Sequence, residues 1–399
     1  RLFHGTPGRM RLYGLLGVIA AVVLGAVSAN ALLASQSAVE RAANNTAQVV
    51  RAQSIHVDLL RADAIATNAF LVGGLESPQS RADYEAAMGR VATGVAAAAA
   101  AQPADGAALG ALSQQVQTYA ALVEQARTNN RLGLPVGAQY LTQASAGLRA
   151  DAIPTIEAVV SANEERASDE FGRSASVLQL AIGLLALLGL VAIAVWLARR
   201  THRYLNRPLT AAIAILLVAL VFALLQVVGV GSAAQRVADG NFARTVALAD
   251  ATTGGNDARA NESLTLIRRG SGQSNEKAWV ADDTAVRKAL SSGVDGSGLL
   301  AKWTSYAGVH QEVRRLDDNG RWDDAVKRST DATKGSAGTF TAFDDAVTQA
   351  RDSTGKQAVA TLGDLGGRAP LSALAVAIAA LLAAWLVVRG IGQRIEEYR

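Results

Sequence analysis

Apolar residues are concentrated in four long blocks of the chain and are not spread evenly through its 399 residues. A hydrocarbon core about 30 Å thick needs about 20 consecutive apolar residues as a helix, because every backbone amide in lipid must be bonded within its own segment. None of the four blocks carries a charged side chain. We therefore predict transmembrane helices at residues 13–34, 177–198, 209–230 and 371–388.

The first block raises the question of a cleaved signal peptide. It is long for a signal sequence and rich in Gly and Ala, so we interpret it as a membrane anchor. Cleavage after Ala34 is the alternative.

The two long stretches between the blocks have the pattern of helices. Runs of Ala, Leu, Val, Gln, Arg and Glu are broken only by short clusters rich in Gly, Pro and Ser. At the first break Ser77 can cap a helix and Pro78 can occupy its first turn. The predicted breaks are residues 73–78, 102–106 and 132–135 in the first stretch and 270–273, 293–298 and 319–320 in the second. Each stretch is predicted to form a four-helix bundle.

The two stretches resemble each other in sequence, which indicates an internal duplication. Arg61-Ala62-Asp63 followed by Thr67 matches Arg259-Ala260-Asn261 followed by Thr265. Further along, identical spacings relate one set of residues to a second set: Tyr119, Ala120, Arg127, Gly133 and Ala138 match Tyr306, Ala307, Arg314, Gly320 and Ala325.

Arginines beside the spans predict the orientation. Cytoplasmic loops retain Lys and Arg near the membrane, and arginines crowd the start of the chain, the short link between the second and third spans, and the tail. The long stretches mix both signs of charge. Arg368 is the one exception to the rule, because it lies beside the fourth span on the predicted extracytoplasmic side. We therefore expect an all-α protein of the plasma membrane with the order: cytoplasmic 1–12, span 13–34, extracytoplasmic bundle 35–176, span 177–198, cytoplasmic loop 199–208, span 209–230, extracytoplasmic bundle 231–370, span 371–388, cytoplasmic tail 389–399.

Composition and motifs exclude several classes of function. The chain has no cysteine, and its net charge is only +4 with both signs interspersed, so neither thiolate chemistry nor a nucleic-acid footprint is expected. No phosphate-binding loop, zinc-binding helix, nucleophile elbow or kinase signature occurs. We expect no enzymatic activity, no cofactor and no bound metal, and we interpret the histidines as solvated or partly packed: His4, His56, His202 and His310.

Polar and small residues in the spans point to helix packing more than to transport. Transport paths usually need intramembrane charges or broken helices, whereas these spans offer Asn30, Gln179 and Gln226, which suit bonds between helices. The fourth span repeats alanine at Ala375, Ala379 and Ala383. We expect this stripe to pack within the chain, with self-association into a homo-oligomer as the alternative.

Repeated arginines are the candidate ligand contacts of the predicted bundles. Guanidinium groups recognise carboxylates in a bidentate manner, although most arginines on helical bundles are surface residues. The candidates are Arg61, Arg127, Arg259 and Arg314. The second stretch alone has tryptophans, Trp279, Trp303 and Trp322, which we expect to anchor a core or interface instead of forming a ligand cage.

The predicted cytoplasmic surface offers candidate contacts for a protein partner or for anionic lipid. Two glycines directly follow the last span, and a mixed-charge segment with a tyrosine comes after them, which suggests a hinge and a small recognition surface. The candidates are Arg199, Arg200, Arg203 and Arg207 in the loop and Arg394, Glu396, Glu397, Tyr398 and Arg399 in the tail.

The whole layout resembles two kinds of bacterial signalling protein. A bundle between two spans is similar to the sensor half of chemoreceptors, and Asn206-Arg207-Pro208-Leu209 resembles the opening of a HAMP module, although a span follows at once. The entry 6–12, the loop ending at Leu209, the tail 390–399 and the paired bundles together resemble the actinobacterial GlnX family. That resemblance implies a relay in which an extracytoplasmic solute-binding lipoprotein detects an amino acid and the membrane protein signals to a cytoplasmic serine/threonine kinase, protein kinase G.

Two further functions stay open at this point. A chemoreceptor-like protein binds a small ligand directly and needs a defined pocket between its helices. A structural or transporter-associated membrane subunit needs neither a pocket nor a signalling partner. A relay predicts a broad protein-binding patch.

Overall fold

The computed structural model describes residues 5–72, 76–174, 177–201, 206–291, 298–367 and 369–396, and no strand occurs among them. In chain order its helices are α1 (Gly5–Val72), α2 (Pro78–Ala101), α3 (Gly106–Arg131), α4 (Val136–Gly147), α5 (Ile153–Ser174), α6 (Leu178–Thr201), α7 (Arg207–Val237), α8 (Ala243–Ile267), α9 (Gln273–Ser291), α10 (Leu299–Asp318), α11 (Trp322–Thr330), α12 (Ser336–Gly366) and α13 (Ala369–Glu396). The expected all-α fold is confirmed.

The chain divides into two compact units. The span unit comprises Arg1–Ala43, Ala167–Ala238 and Ala360–Arg399, and the bundle unit comprises Asn44–Arg166 and Asp239–Val359. Four helical stretches are long and apolar enough to cross a membrane, as the sequence predicts. Most of each predicted bundle, residues 44–166 of the first and 239–359 of the second, belongs to the bundle unit.

The first bundle consists of the bundle-unit parts of α1 and α5 together with α2, α3 and α4. These helices share one apolar core in which Leu59, Leu109, Tyr119 and Leu141 are almost completely buried. The breaks at 102–106 and 132–135 lie where the sequence predicts them, and the predicted break at 73–78 lies partly outside the described residues. Ser77 caps α2 by accepting a hydrogen bond from the backbone N–H of Ser80 at 3.1 Å, and Pro78 opens the helix.

The second bundle consists of α8, α9, α10, α11 and α12 and has an aromatic core. Trp279, Trp303, Tyr306 and Phe343 pack together there. Trp322 packs against a second, smaller apolar cluster, so all three tryptophans serve packing, as expected. Trp322 is partly exposed and donates its indole N–H to the backbone carbonyl of Leu266 at 2.8 Å.

The last helix of each copy is interrupted a short way after the matched residues Ala138 and Ala325. In the first copy a π-helical turn, Leu148–Ala152, joins α4 to α5. In the second copy residues 331–335 form a turn between α11 and α12, which the sequence pattern missed. Pro154 explains the first interruption, because it has no N–H to donate to the carbonyl four residues earlier.

In the span unit, parts of α1, α6, α7 and α13 pack around a core of Leu, Ala and Val. Two polar pairs bridge these helices, as the sequence predicts. Asn30 of α1 donates to Gln179 of α6 at 3.1 Å, and Gln226 of α7 donates to Ser372 of α13 at 3.5 Å. The span polar residues therefore serve helix association.

Two of the three predicted stripe alanines of α13 pack within the chain. Ala383 is buried and Ala379 packs, partly buried, against the span core, whereas Ala375 is exposed. Ala373 and Ala380 are buried as well. Ala380 meets Gly25 of α1, where an added Cβ would lie 2.2 Å from the Ala380 Cβ.

Replacing Gly25 with leucine should therefore destabilise the span unit. The two backbones would have to separate, and overpacking of this kind costs about 1–3 kcal/mol. Thermal unfolding in detergent should show a lower melting temperature for Gly25→Leu. Gly189→Leu is the matched control, because a Cβ at Gly189 has no neighbour within 4 Å. Equal melting temperatures for the two variants would contradict the predicted contact.

Candidate functional site

Two of the four predicted ligand arginines connect the two bundles. Arg61 of α1 donates to both carboxylate oxygens of Asp344 on α12, at distances of 2.8–3.1 Å, and to the hydroxyl of Thr348 at 2.9 Å. Arg259, its counterpart in the second copy, donates from α8 to the side chain of Asn68 on α1. Each copy therefore extends an arginine from its first helix to the other copy.

Arg259 is also held inside its own bundle by a buried carboxylate. Its Nη1 contacts Glu262 at 2.5 Å and the hydroxyl of Ser329 at 3.0 Å. Burial alone would raise the pKa of Glu262, but attraction by Arg259 and hydrogen bonds from His310 and Ser329 hold it at about 2. Glu262 is therefore a buried carboxylate ion whose charge depends on Arg259 and on a histidine.

His310 completes this network and differs from the expectation of solvated or partly packed histidines. Its side chain is 1% exposed and stacks on Trp279 with ring centroids 3.6 Å apart. Nδ1 lies 2.8 Å from Glu262, and Nε2 lies 3.4 Å from Glu276. Burial lowers the pKa of His310, but the hydrogen bonds to both carboxylates outweigh it and raise the pKa above its ordinary value.

The sequence pattern did not single out Arg149, which makes the third connection between the bundles. It lies in the π-helical turn and donates from Nη1 to Asp63 at 2.8 Å and from Nη2 to Asp257 on α8. The Asp63 side chain is fully buried and also accepts hydrogen bonds from Ser145 and Tyr119. One signal in the sequence could have pointed to Arg149. Pro154 interrupts the helix and so favours a π-turn just before it, and π-turns often occur at functional positions.

Arg127 and Arg314 lie in equivalent ion pairs, which supports the duplication. Arg127 of α3 contacts Glu76 at 3.0 Å, just before α2, and Arg314 of α10 contacts Glu276 at 3.2 Å, in the first turn of α9. Both guanidinium groups are mostly buried and hold further carboxylates. Arg127 lines a small cavity of about 110 Å³, and Arg61 and Arg259 line a larger one.

The larger cavity is an open cleft of about 560 Å³ between the two bundles. We call it the inter-bundle cleft. Residues of α1 and α2 form its wall in the first bundle, and residues of α8 and α12 form its wall in the second. The side chains with polar or aromatic character are Arg61, Asn68, Asp83, Arg90, Asn256, Arg259, Phe340, Thr341, Asp344, Asp345, Thr348 and Gln349. The structure thus brings Arg61 and Arg259 to one cavity and leaves Arg127 and Arg314 elsewhere.

A partly buried aspartate near the Arg149 bridge makes the stability of the bundle unit depend on pH. Burial, together with repulsion from Asp257, raises the pKa of Asp282 from 3.8 to about 7. The folded state then retains a proton that the unfolded chain loses. Stability from this group is complete below its unfolded pKa and is lost as the pH rises toward about 7.

Replacing Asp282 with asparagine should remove this loss. Asn261 donates a hydrogen bond to Asp282 at 3.0 Å, and the asparagine oxygen can accept it. The melting temperature of Asp282→Asn should therefore exceed that of the wild type by a margin that grows as the pH rises and levels off above about 7. Thermal unfolding across this pH range measures the margin. A margin independent of pH would contradict the raised pKa.

The candidate residues of the loop and tail are described only in part. Arg199 and Arg207 have exposed side chains. The side chains of Arg200, Arg394 and Glu396, and residues Arg203, Glu397, Tyr398 and Arg399, lie outside the described residues.

The loop and the tail do meet at one point. Asn206 donates to the backbone carbonyl of Gly390 at 2.8 Å, and a Cβ at Gly390 would lie 2.9 Å from the Asn206 side chain. Gly390 therefore permits close approach inside a continuous helix and is not a hinge.

Comparison with known proteins bears on the first bundle. No curated protein and no solved structure matches the chain. Residues 38–172, which extend from α1 to α5, match the family model of the actinobacterial sensor domain. A sensor domain suggests a non-catalytic role. Over these residues the chain is similar to actinobacterial sensor domains, and this similarity supports a role in sensing or signalling for a membrane protein.

Proposed function

We propose that this protein is a transmembrane signal relay that couples an extracytoplasmic amino-acid-binding lipoprotein to a cytoplasmic serine/threonine kinase. The sensor-domain match supports the sensing part of this proposal. The resemblance to GlnX supports the two partners, and the distribution of arginines supports the orientation with both termini and the 199–208 loop inside.

The observation that carries the proposal is the reciprocal linkage of the two bundles. Arg61, Arg149 and Arg259 each contact the opposite bundle through a charged or amide side chain. A displacement in one bundle must therefore move the other or break these contacts. Such a pair can have two arrangements, and a partner that binds one of them better shifts the equilibrium.

The chain itself offers a route for the signal. Two spans lead without a break into the bundle unit: α1 is uninterrupted from Gly5 to Val72, and α7 passes through the π-helical turn Ala238–Phe242 into α8. Small shifts and rotations of packed helices are a common way to pass a signal between sites. In this proposal the kinase binds the loop 199–208 and the tail 389–399, and the helix shifts change that binding.

Direct reception of a small ligand is a second candidate, and the inter-bundle cleft favours it. The cleft is concave and has a size typical of ligand sites. Arg61 and Arg259 are poor residues for testing it by substitution. Both hold buried or half-buried carboxylates, so their removal would damage the fold as well as the cleft.

The relay is tested by affinity purification of the tagged chain from its native membrane, followed by mass spectrometry. We expect to recover an amino-acid-binding lipoprotein and a soluble kinase. A Tyr398→Ala, Arg399→Ala variant should lose the kinase and keep the lipoprotein, because only the tail is altered. Recovery of neither partner with the wild-type chain would overturn the relay. An external location for a reporter fused after Arg399 would overturn the orientation.

A further inference from the structure

We propose that the turn between α3 and α4 is the surface on which an extracytoplasmic protein docks, and that this protein presents an apolar area with a carboxylate beside it. This inference rests on the proposed relay and names the contact surface of its extracytoplasmic partner. We call residues 131–136, from the end of α3 to the start of α4, the apolar turn.

The first observation is the exposure of large apolar side chains in this turn. All six of its residues are exposed. Leu132 is 68% exposed, Leu134 is 46% exposed and Val136 is 38% exposed. Single exposed apolar residues are ordinary, but turns are normally built from polar residues, and an exposed run of apolar ones indicates a function.

The second copy contains a turn of the same geometry, which serves as an internal comparison. Gly133 and Gly320 occupy matched positions and have left-handed φ angles of +69° and +72°. In both turns the N–H groups of three successive residues donate to the carbonyls four, three and five residues earlier. The two chain segments therefore end one helix in the same way.

The residues around the two glycines differ in polarity. The second turn has polar side chains at every position where the first has a large apolar one. Its geometry is the same, so the fold does not require the apolar side chains of the first turn. The matched pairs are Leu132 with Asn319, Leu134 with Arg321, and Val136 with Asp323.

Charge distinguishes the two turns in the same way. Arg131 is exposed and makes no ion pair with any residue that the structure describes. Its counterpart Asp318 pairs with Arg314 at 2.6 Å. Arg321 pairs with Asp324 at 2.7 Å. The second turn thus satisfies its charges within the chain, whereas the apolar turn presents an unpaired guanidinium group that a carboxylate of a partner complements.

A small cavity adjoins the apolar turn. Its volume is about 110 Å³, and Arg131 lines it together with Phe70 of α1 and Leu141 of α4. Arg127, also in its wall, is already paired with Glu76 at 3.0 Å. A water molecule needs only about 10–15 Å³ of such space, so the cavity has room for an aliphatic side chain. Protein interfaces are commonly anchored by an apolar side chain that fills a pocket of this kind.

A protein partner fits this surface better than a second copy or a lipid bilayer. A two-fold contact between copies would bring the same surface, and therefore two unpaired Arg131 side chains, together. One arginine attracts an anionic membrane by only about 1 kcal/mol. The apolar turn lies within residues 38–172, which match the sensor domain, and the polar turn lies outside them. The apolar turn therefore belongs to the bundle that the sensing role concerns.

Affinity purification of the tagged full chain, with both partners quantified by mass spectrometry, tests the proposal. The double variant Leu132→Asn, Leu134→Arg carries the residues of the second turn, so its melting temperature should equal that of the wild type. We expect recovery of the lipoprotein to fall about tenfold or more and recovery of the kinase to stay unchanged. The added positive charge favours an acidic partner, so the loss measures the apolar contact. Val280→Asn is the matched control, because Val280 is 53% exposed on α9 of the second bundle.

Photo-crosslinking in intact cells tests the surface even where purification recovers neither partner. A benzophenone amino acid at position 132 should form an adduct with an extracytoplasmic protein, and the same amino acid at position 319 should form none. Arg131→Glu should abolish the adduct and Arg131→Lys should retain it, because the partner supplies a carboxylate. Mass spectrometry of the adduct should place the crosslinked partner residue near an Asp or Glu.

The outcomes separate the docking surface from the relay. Equal recovery of the lipoprotein with the wild type and the double variant, or equal adducts at positions 132 and 319, would overturn the surface and leave the relay intact. An adduct with the mass of two chains, an adduct with lipid alone, or one that persists in Arg131→Glu would also overturn it. If the wild type recovers neither partner, the relay fails, and the adduct at position 132 decides the docking surface on its own.

Discussion

Replacing Arg149 with methionine should lower the free energy of unfolding of the bundle unit by about 3–5 kcal/mol, because it leaves a buried carboxylate without its cation. Asp63 has a fully buried side chain, and Arg149 supplies its only ion pair among the described residues. The same substitution also removes the contact with Asp257 on α8. Urea unfolding in detergent, followed by far-ultraviolet circular dichroism, measures the change.

A second substitution separates loss of charge balance from loss of packing. Asp63→Asn in the Arg149→Met background removes the unpaired charge and keeps an oxygen that accepts from Ser145 and Tyr119. Asparagine is also the residue found at the matching position of the second copy, Asn261. The double variant should recover a large part of the lost stability. If it is no more stable than Arg149→Met, the aliphatic contacts of Arg149 matter more than its charge.

Replacing Glu262 with glutamine should destabilise the second bundle by a comparable amount, about 3–5 kcal/mol at neutral pH. Glu262 is the only carboxylate among the described residues that pairs with the buried Arg259, and it also accepts hydrogen bonds from Ser329 and His310. Trp279 stacks on His310, so tryptophan fluorescence during urea unfolding reports the affected region. Glu312→Gln is the matched control, because its pair with Arg328 is partly exposed and contributes about 0–1 kcal/mol.

The pH dependence of this variant follows from the direction of each pKa change. The folded pKa of Glu262 is depressed to about 2, so its stabilisation is complete above the unfolded value of 4.5 and is lost as the pH falls through that interval. His310 has a raised pKa, so its contribution is complete below 6.5 and is lost as the pH rises through its folded pKa. The difference between wild type and Glu262→Gln should therefore shrink at both ends of the pH range. A difference that stays constant on acidification would contradict the proposed charge of Glu262.

The spans and most helix ends of this protein follow from its local sequence. Four apolar blocks predict the spans, and the Gly, Pro and Ser clusters predict most helix breaks, because lipid solvation and helix termination depend on residues close together in the chain. The matched segments also predict the duplication, and the equivalent ion pairs of Arg127 and Arg314 now support it. The sequence pattern missed the turn at 331–335 and the exposure of Ala375 at the end of the α13 alanine stripe.

The roles of the arginines, in contrast, depend on the fold. Arg61 and Asp344 are 283 residues apart, and nothing in the sequence near either one indicates the other. The sequence pattern therefore left the guanidinium groups available to a carboxylate ligand, whereas packing of the two copies gives each of them an internal partner. The same packing buries Asn256 with one acceptor unsatisfied and brings Arg149 between Asp63 and Asp257. Hydrophobic periodicity is read along the chain, but the compensation of a buried charge depends on which surfaces meet, and that depends on the fold.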